Sequence, residues 1–333
     1  MNKVFSGDLE TIDVCPYCDS SNRSLAHKDV SDWSFDVAHG RWCYYRCDDC
    51  ASLHLNPRPT SLSIGEAYAN YYTHGDDTEA SNLSGLRILV KNAWLSFLLD
   101  KRIYPKLFVP KVLMKLMVQL SGRNSLPFWM EPLIARQPGK FLDMGCGAGT
   151  SLKIASQIGW DAIGIDFDEA PVAATRRNGL TALVGTDELL GEYHEYFDFV
   201  QSSHVLEHVH DPLTFVTRMC SSVALNGVVV ITLPNAMSFV RDYFGDNWRG
   251  LEAPRHLTLP SQQFLVEFLS SLGFRVDIKS DDSAETVLES LRIQRRGNKP
   301  AFIDRIRAKF LTIERGSKPH SSDFIKLVCT KID

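Results

Sequence analysis

The sequence predicts an α/β fold: a doubly wound, mainly parallel sheet of seven strands, preceded by a small cysteine-rich module and a helical linker region. Three observations predict it. From about residue 137 onward, short apolar runs alternate with amphipathic helical segments, the pattern of strand–helix–strand units. The first run leads into a glycine-rich turn, Asp143-Met144-Gly145-Cys146-Gly147-Ala148-Gly149. Before the alternation begins, Cys15, Cys18, Cys47 and Cys50 stand as two Cys-x-x-Cys pairs.

Composition sets the outer limits. With 333 residues, 44% hydrophobic and 23% charged, the chain can bury an ordinary core. A net charge of −4 argues against nucleic acid as the main partner. No run is long and apolar enough for a membrane span, and MNKVFSGDLETIDV lacks the apolar centre of a secretion signal. The expectation is a cytoplasmic protein with reduced thiols.

Three zones follow: a cysteine-rich module over 1–60, a helical basic region over 61–135, and a sheet domain over 136–333. The module ends in Asn56-Pro57-Arg58-Pro59-Thr60, which continues neither a helix nor a central strand. In the sheet domain the predicted strands are Phe141–Met144, Ala162–Ile165, Leu180–Val184, Phe197–Gln201, Val228–Leu233, Phe274–Ile278 and Phe324–Thr330. Gly159, Asn178-Gly179 and Gly273 close helices. Asp211-Pro212 opens one as N-cap and first-turn proline. Right-handed crossovers make such a sheet doubly wound, with ligands at the C-terminal ends of its strands.

The glycine turn sits between a strand and a helix, where free N–H groups meet a ligand and glycine lets the backbone approach it. Asp166 ends the second strand, where a carboxylate can take ribose hydroxyls. The turn reads G-x-G-x-G with an acid two residues earlier, unlike the G-x-G-x-x-G of nicotinamide sites. An acid beside the turn suits a cationic ligand such as S-adenosylmethionine (SAM), which carries an ammonium and a sulfonium.

The segment from about 138 to 280 resembles the class I SAM-dependent methyltransferases of the Methyltransf_23 type. The resemblance is carried in order by DMGCGAG, GIDFDEAPV, FDFVQSSHVLEHVHDP, NGVVVITLPN, NWRGLEAPRHL and a last helix ending in LGF. It implies a Rossmann-like methyltransferase fold. It implies that Asp143, Gly145, Gly147 and Gly149 surround the methionine part of SAM, that Asp166 holds the ribose, and that Phe167 lies beside the adenine. Thr186 and Asp187 fall where the family contacts adenine, and Ser202 and His204 line the methyl end.

Two Cys-x-x-Cys knuckles, 28 residues apart, can place four thiolates around zinc. The segment also resembles the zinc ribbon that precedes this branch, including the following HLNPRPT. With Cys15, Cys18, Cys47 and Cys50 all ligating, no position stays open, so the expected zinc is structural.

Candidates for the chemistry follow strands four and five. His208, His256 and Glu207 are the expected base or its supports. His208 reads equally well as a buried, hydrogen-bonded structural residue. Asn235, Trp248 and Arg255 are the expected acceptor contacts: an indole for stacking on a sugar ring, a guanidinium for a phosphate or carboxylate. Trp248 reads equally well as packing for a lid over the strand ends. Basic and apolar residues mix over 86–123, a surface for peripheral membrane contact at the inner face or an ordinary docking helix.

The leading expectation is O- or C-methylation of a sugar or glycan intermediate in surface polysaccharide biosynthesis, an association drawn from the resemblance. The rivals are a methyltransferase for RNA, protein or a quinone-like metabolite, and a non-catalytic zinc-ribbon adaptor. Oligomeric state is left open by the sequence.

Overall fold

In the computed structural model the described residues are 4–33, 35, 37–38, 40–68, 89–90, 92–97, 106, 108–121, 129–279, 284–296, 308, 311 and 322–333. Much of the expected helical region at 61–135 lies outside them. The described strands are β1 (Leu9–Glu10), β2 (Arg23–Val30), β3 (Trp42–Cys47), β4 (Leu53–Leu55), β5 (Arg58–Pro59), β6 (Lys140–Met144), β7 (Asp161–Asp166), β8 (Thr181–Val184), β9 (Phe197–Ser203), β10 (Val223–Pro234), β11 (Thr258–Leu259), β12 (Phe274–Lys279) and β13 (Phe324–Lys331).

The main sheet has seven strands in the order β12-β13-β10-β9-β6-β7-β8. β6, β7 and β8 pair in parallel, while β12 and β13 pair antiparallel from Phe274↔Lys331 to Lys279↔Lys326. The sheet is therefore mixed at one edge. The chain divides into two compact units: 1–72, 202–220 and 231–333 form one, 73–201 and 221–230 the other. The first gathers the N-terminal 60 residues with everything from 231 on, so it cuts across the linear zones.

In the second unit, helix Thr150–Gln157 connects β6 to β7 and helix Glu169–Arg177 connects β7 to β8. The first buries Leu152, Ile154 and Ala155; the second buries Pro171, Val172 and Thr175. Asp168 caps the second helix by accepting the Ala170 N–H at 3.0 Å. Phe141 stacks on Phe199 with centroids 5.6 Å apart, and Trp160 meets both edge-on.

The first unit shows why the N-terminal module is not self-contained. β11, drawn from beyond residue 250, pairs antiparallel with β4, completing a four-stranded sheet of order β11-β4-β3-β2. One apolar cluster joins Trp42, Tyr44, Leu53 and Leu55 to Trp248, Leu251, Leu257, Val287 and Leu291. The Tyr44 hydroxyl sits between the carbonyls of Leu251 and His256, at 2.5 and 2.7 Å. The segment expected as a lid is thus part of this core. A ribbon of about 50 residues has too little apolar surface to fold alone, and the later segment supplies the rest.

Candidate active site

The glycine turn is held from two sides. Asp166 accepts the Gly147 N–H at 2.8 Å through one oxygen and the Asp168 N–H at 3.0 Å through the other. Thr175 donates its hydroxyl to the Gly147 carbonyl at 3.0 Å. Gly147 has φ +48°, and a Cβ built there meets nothing within 4 Å, so the turn faces open space. Gly149 has φ +75°, and a Cβ there would stand 2.8 Å from Thr175 Cγ2, so only glycine lets the two helices' ends approach. Its own helix begins at Thr150, directing free N–H groups toward that space. This is a cradle that fits the anionic end of SAM.

Asp143 is buried, 3.4 Å from Gln201 Nε2, which also reaches the Ser151 hydroxyl at 3.0 Å. Burial and then the Asp166 charge push its carboxyl up to about 8, against the Gln201 bond. A cationic group bound beside it restores the carboxylate. SAM binding at pH 7 is therefore expected to release protons, read by calorimetry in buffers of different ionisation enthalpy, and Asp143→Asn is expected to abolish the release. In the ligand-free protein the raised pKa favours the native state at low pH. Asp143's contribution is lost as pH rises from the free-carboxylate value of about 4 toward about 8. An equal proton count in wild type and variant would discard this role.

Of the other expected cofactor residues, Phe167 is exposed, and Thr186 caps the short helix Asp187–Glu192 by accepting the Glu188 N–H. Ser202 is buried with its hydroxyl lacking a partner. His204 has φ +57° and a 45% exposed side chain, and its Nδ1 lies 3.1 Å from Glu207 Oε1.

The histidines expected as bases are more enclosed. His256 is buried, its Nδ1–H donating to the Gly250 carbonyl at 2.8 Å. Burial first, with the His208 charge, lowers it to about 4 against the opposing pull of Glu252. His208 Nδ1 lies 2.8 Å from the Tyr68 hydroxyl and 3.0 Å from the Arg255 carbonyl. Glu207 is fully buried; burial works to raise its pKa, but His204 and the other two imidazoles outweigh it and lower it. His204 is thus the exposed imidazole of the group.

The three expected acceptor contacts have structural roles in this conformation. Arg255 has no exposed surface; its guanidinium grips Asp32 through two bonds at 2.6 and 3.0 Å, reaches Glu252 at 3.1 Å, and donates to the Ala67 carbonyl at 3.0 Å. Trp248 lies in the apolar cluster. Asn235 donates to the Ser322 carbonyl at 2.9 Å and accepts the Met237 N–H at 2.9 Å. None presents a surface to an acceptor, because each is consumed in closing the first unit.

The four cysteines converge: one sulfur from each lies within 4.8 Å of the others. Cys15 and Cys50 sulfurs are 3.6 Å apart, Cys18 and Cys47 3.5 Å. Tetrahedral ligands at ~2.3 Å from zinc stand about 3.8 Å apart, so the donor set fits zinc. The two knuckles repeat one backbone design. Cys15 N–H bonds the Ser20 carbonyl at 2.8 Å and Cys47 N–H bonds Ser52 at 2.9 Å. Asp19 and Ala51, each just past its knuckle, take φ of 56° and 62°. Chelation or Cys18→Ser is expected to lower the melting temperature by several degrees, since a metal that binds only the native state stabilises it. A metal-free preparation melting at the same temperature would discard the zinc reading.

Residues 121–278 match the Methyltransf_23 family model, described as a methyltransferase domain. The chain carries a methyltransferase domain. A ubiquinone biosynthesis O-methyltransferase of Hahella chejuensis is 38% identical over 101 residues, 28% of this chain and 42% of that protein. A protein of the same name from Bordetella avium is 31% identical over 151 residues, 40% of this chain and 62% of that protein. The chain spans about half the length of the curated relatives it matches. A SAM dependent methyltransferase structure from Archaeoglobus fulgidus shares 20% identity with a TM-score of 0.43, covering 67% of this chain and 95% of that one.

Two residues absent from the expected site brace the turn and Asp143: Thr175 and Gln201. Thr175 carries no cue, being one polar residue in a helix. Gln201 does: it is an amide at the end of the apolar run Phe197–Gln201, buried beside Asp143.

Proposed function

We propose that the chain is a SAM-dependent O-methyltransferase acting on a hydroxyl of a partly lipophilic acceptor, with a structural zinc at its four cysteines. The observation that carries the methyltransferase reading is the open glycine cradle anchored on Asp166, within a segment that matches the methyltransferase family. SAM, when bound, supplies the methyl group and leaves as S-adenosylhomocysteine. The choice of oxygen draws support from the names of the curated relatives. The sugar reading draws none from them, and a quinone-like phenol takes its place beside a lipid-linked glycan.

The lipophilic part draws on the surface at 106–117. Phe108 and Val112 are 89% and 84% exposed, and Leu113, Leu116 and Met117 are exposed too, while Met114 alone among them packs inward. Lys106, Lys111 and Lys115 share the stretch. Apolar side chains flanked by lysines suit an anionic bilayer surface. No helix among the described residues is long and apolar enough to cross a membrane.

His204 is the proton acceptor in this proposal. Its exposed ring is oriented by buried Glu207, the arrangement that fixes a tautomer and stabilises the imidazolium. The test is methyl transfer from labelled SAM to prenylated catechols, lipid-linked glycans and nucleotide sugars. Transfer to a hydroxyl of either lipid class supports the proposal. His204→Gln is expected to lower kcat by about 100-fold or more while SAM still binds. Transfer confined to RNA or protein, or no SAM binding by the folded chain, overturns it.

A further inference from the structure

We infer that Glu207, His208 and His256 form a binding site for a first-row divalent metal, separate from the cysteine cluster. One ligand atom from each of the three lies within 4.8 Å of the others. The independent observation is Glu207 itself. It has no exposed surface, and while its Oε1 meets His204 Nδ1 at 3.1 Å, its Oε2 is buried with no hydrogen-bond partner. A carboxylate oxygen removed from water without a partner is costly, and such atoms in a native fold call for an unseen partner.

The two imidazoles are prepared for the same partner. A backbone carbonyl only accepts, so the 2.8 Å contact of His256 Nδ1 with Gly250 O places the proton on Nδ1. His208 Nδ1 has the same kind of neighbour, the Arg255 carbonyl at 3.0 Å, together with the Tyr68 hydroxyl at 2.8 Å, which can donate or accept. A ring whose Nδ1–H donates to its carbonyl offers the Nε2 lone pair, and that of His256 lies 3.6 Å from Glu252 Oε2, a further carboxylate beside the three ligands. Tying the remote nitrogen to a carbonyl is how metal-ligating histidines are oriented. The rings stand edge to face with centroids 4.7 Å apart, and His204 plays the supporting role toward the carboxylate. Two nitrogens and one oxygen suit zinc, cobalt, iron(II) or manganese, with positions left for an outside oxygen ligand. All three ligands belong to one compact unit.

What the metal does rests on the methyltransferase reading: bound to an acceptor hydroxyl, it lowers that hydroxyl's pKa. Metal binding itself does not rest on it, and its test avoids activity. Cobalt(II) is titrated into the chain carrying one equivalent of zinc at its four cysteines. The expected result is one equivalent of cobalt beyond the cysteine site, with visible d–d absorption and without the strong near-ultraviolet bands of cobalt–thiolate bonds. Glu207→Gln and His256→Gln are each expected to weaken it at least tenfold. Should either variant fail to fold, X-ray absorption on wild type reads the ligands directly, and a nitrogen and oxygen shell with imidazole scattering is expected. No cobalt beyond the cysteine site, or sulfur in the shell of all bound cobalt, overturns the inference. SAM titration of the same sample reports separately on the methyltransferase reading.

Discussion

Asp166→Ala is expected to weaken SAM binding by a hundredfold or more while leaving the fold in place. Asp166 holds the glycine turn through the Gly147 N–H and its own end of β7 through the Asp168 N–H. The same carboxylate is the group that would take the ribose hydroxyls. Each hydrogen bond to a charged group contributes about 1.5–3 kcal/mol, so losing two of them costs about 3 kcal/mol or more, or at least about a hundredfold in Kd. The fold has a compensation, since removing Asp166 also removes a charge that repels Asp143. Calorimetric titration with SAM and S-adenosylhomocysteine decides the point. Wild-type affinity in the variant would place the ribose elsewhere and remove the main support for the cradle.

Arg255→Ala has the largest expected effect on stability. The substitution leaves Asp32 and Glu252 buried without the guanidinium that both accept from. Breaking a buried ion pair from one side costs about 3–5 kcal/mol. The loss spreads beyond the pair, because Asp32 also accepts the N–H groups of Phe35, Val37 and Ala38. Arg255→Lys recovers part of the stability at most, since one ammonium cannot reproduce the two-bond grip on Asp32 together with the bond to Glu252. The expected readout is a lower denaturant midpoint with the SAM affinity of the surviving folded fraction unchanged. A midpoint at the wild-type value would mean that the buried pair contributes nothing. Acid acts at the same place. Burial tends to raise the Asp32 pKa, but the bonds and charge of Arg255 outweigh it and hold it below the ordinary value. Its contribution is complete above the usual carboxylate range and is lost as pH falls through the depressed pKa.

The sequence by itself determined the local chemistry. Glycines after a strand make a tight turn with free N–H groups, because positive φ and unpaired N–H groups are properties of a few adjacent residues. Gly147 and Gly149 take positive φ, and Asp166 accepts the Gly147 N–H. The paired cysteines likewise converge with donor spacing that fits zinc, because each knuckle is a local turn. Strand-and-helix alternation sufficed for the seven-stranded sheet, apart from the antiparallel edge of β12 and β13.

The tertiary structure alone decided which charged and aromatic residues face a ligand and which close the core. Arg255 and Trp248 read as binding residues in isolation, and their burial depends on Asp32 and on Trp42 and Tyr44, some two hundred residues away. The same holds for the histidines. Nothing in the run from His204 to His210 tells which ring stays exposed; the Tyr68 hydroxyl and the carbonyls of Arg255 and Pro59, which engage His208 and His210, settle that. Periodicity reports burial one element at a time. Long-range pairs between polar groups leave no period, so only the folded chain assigns them.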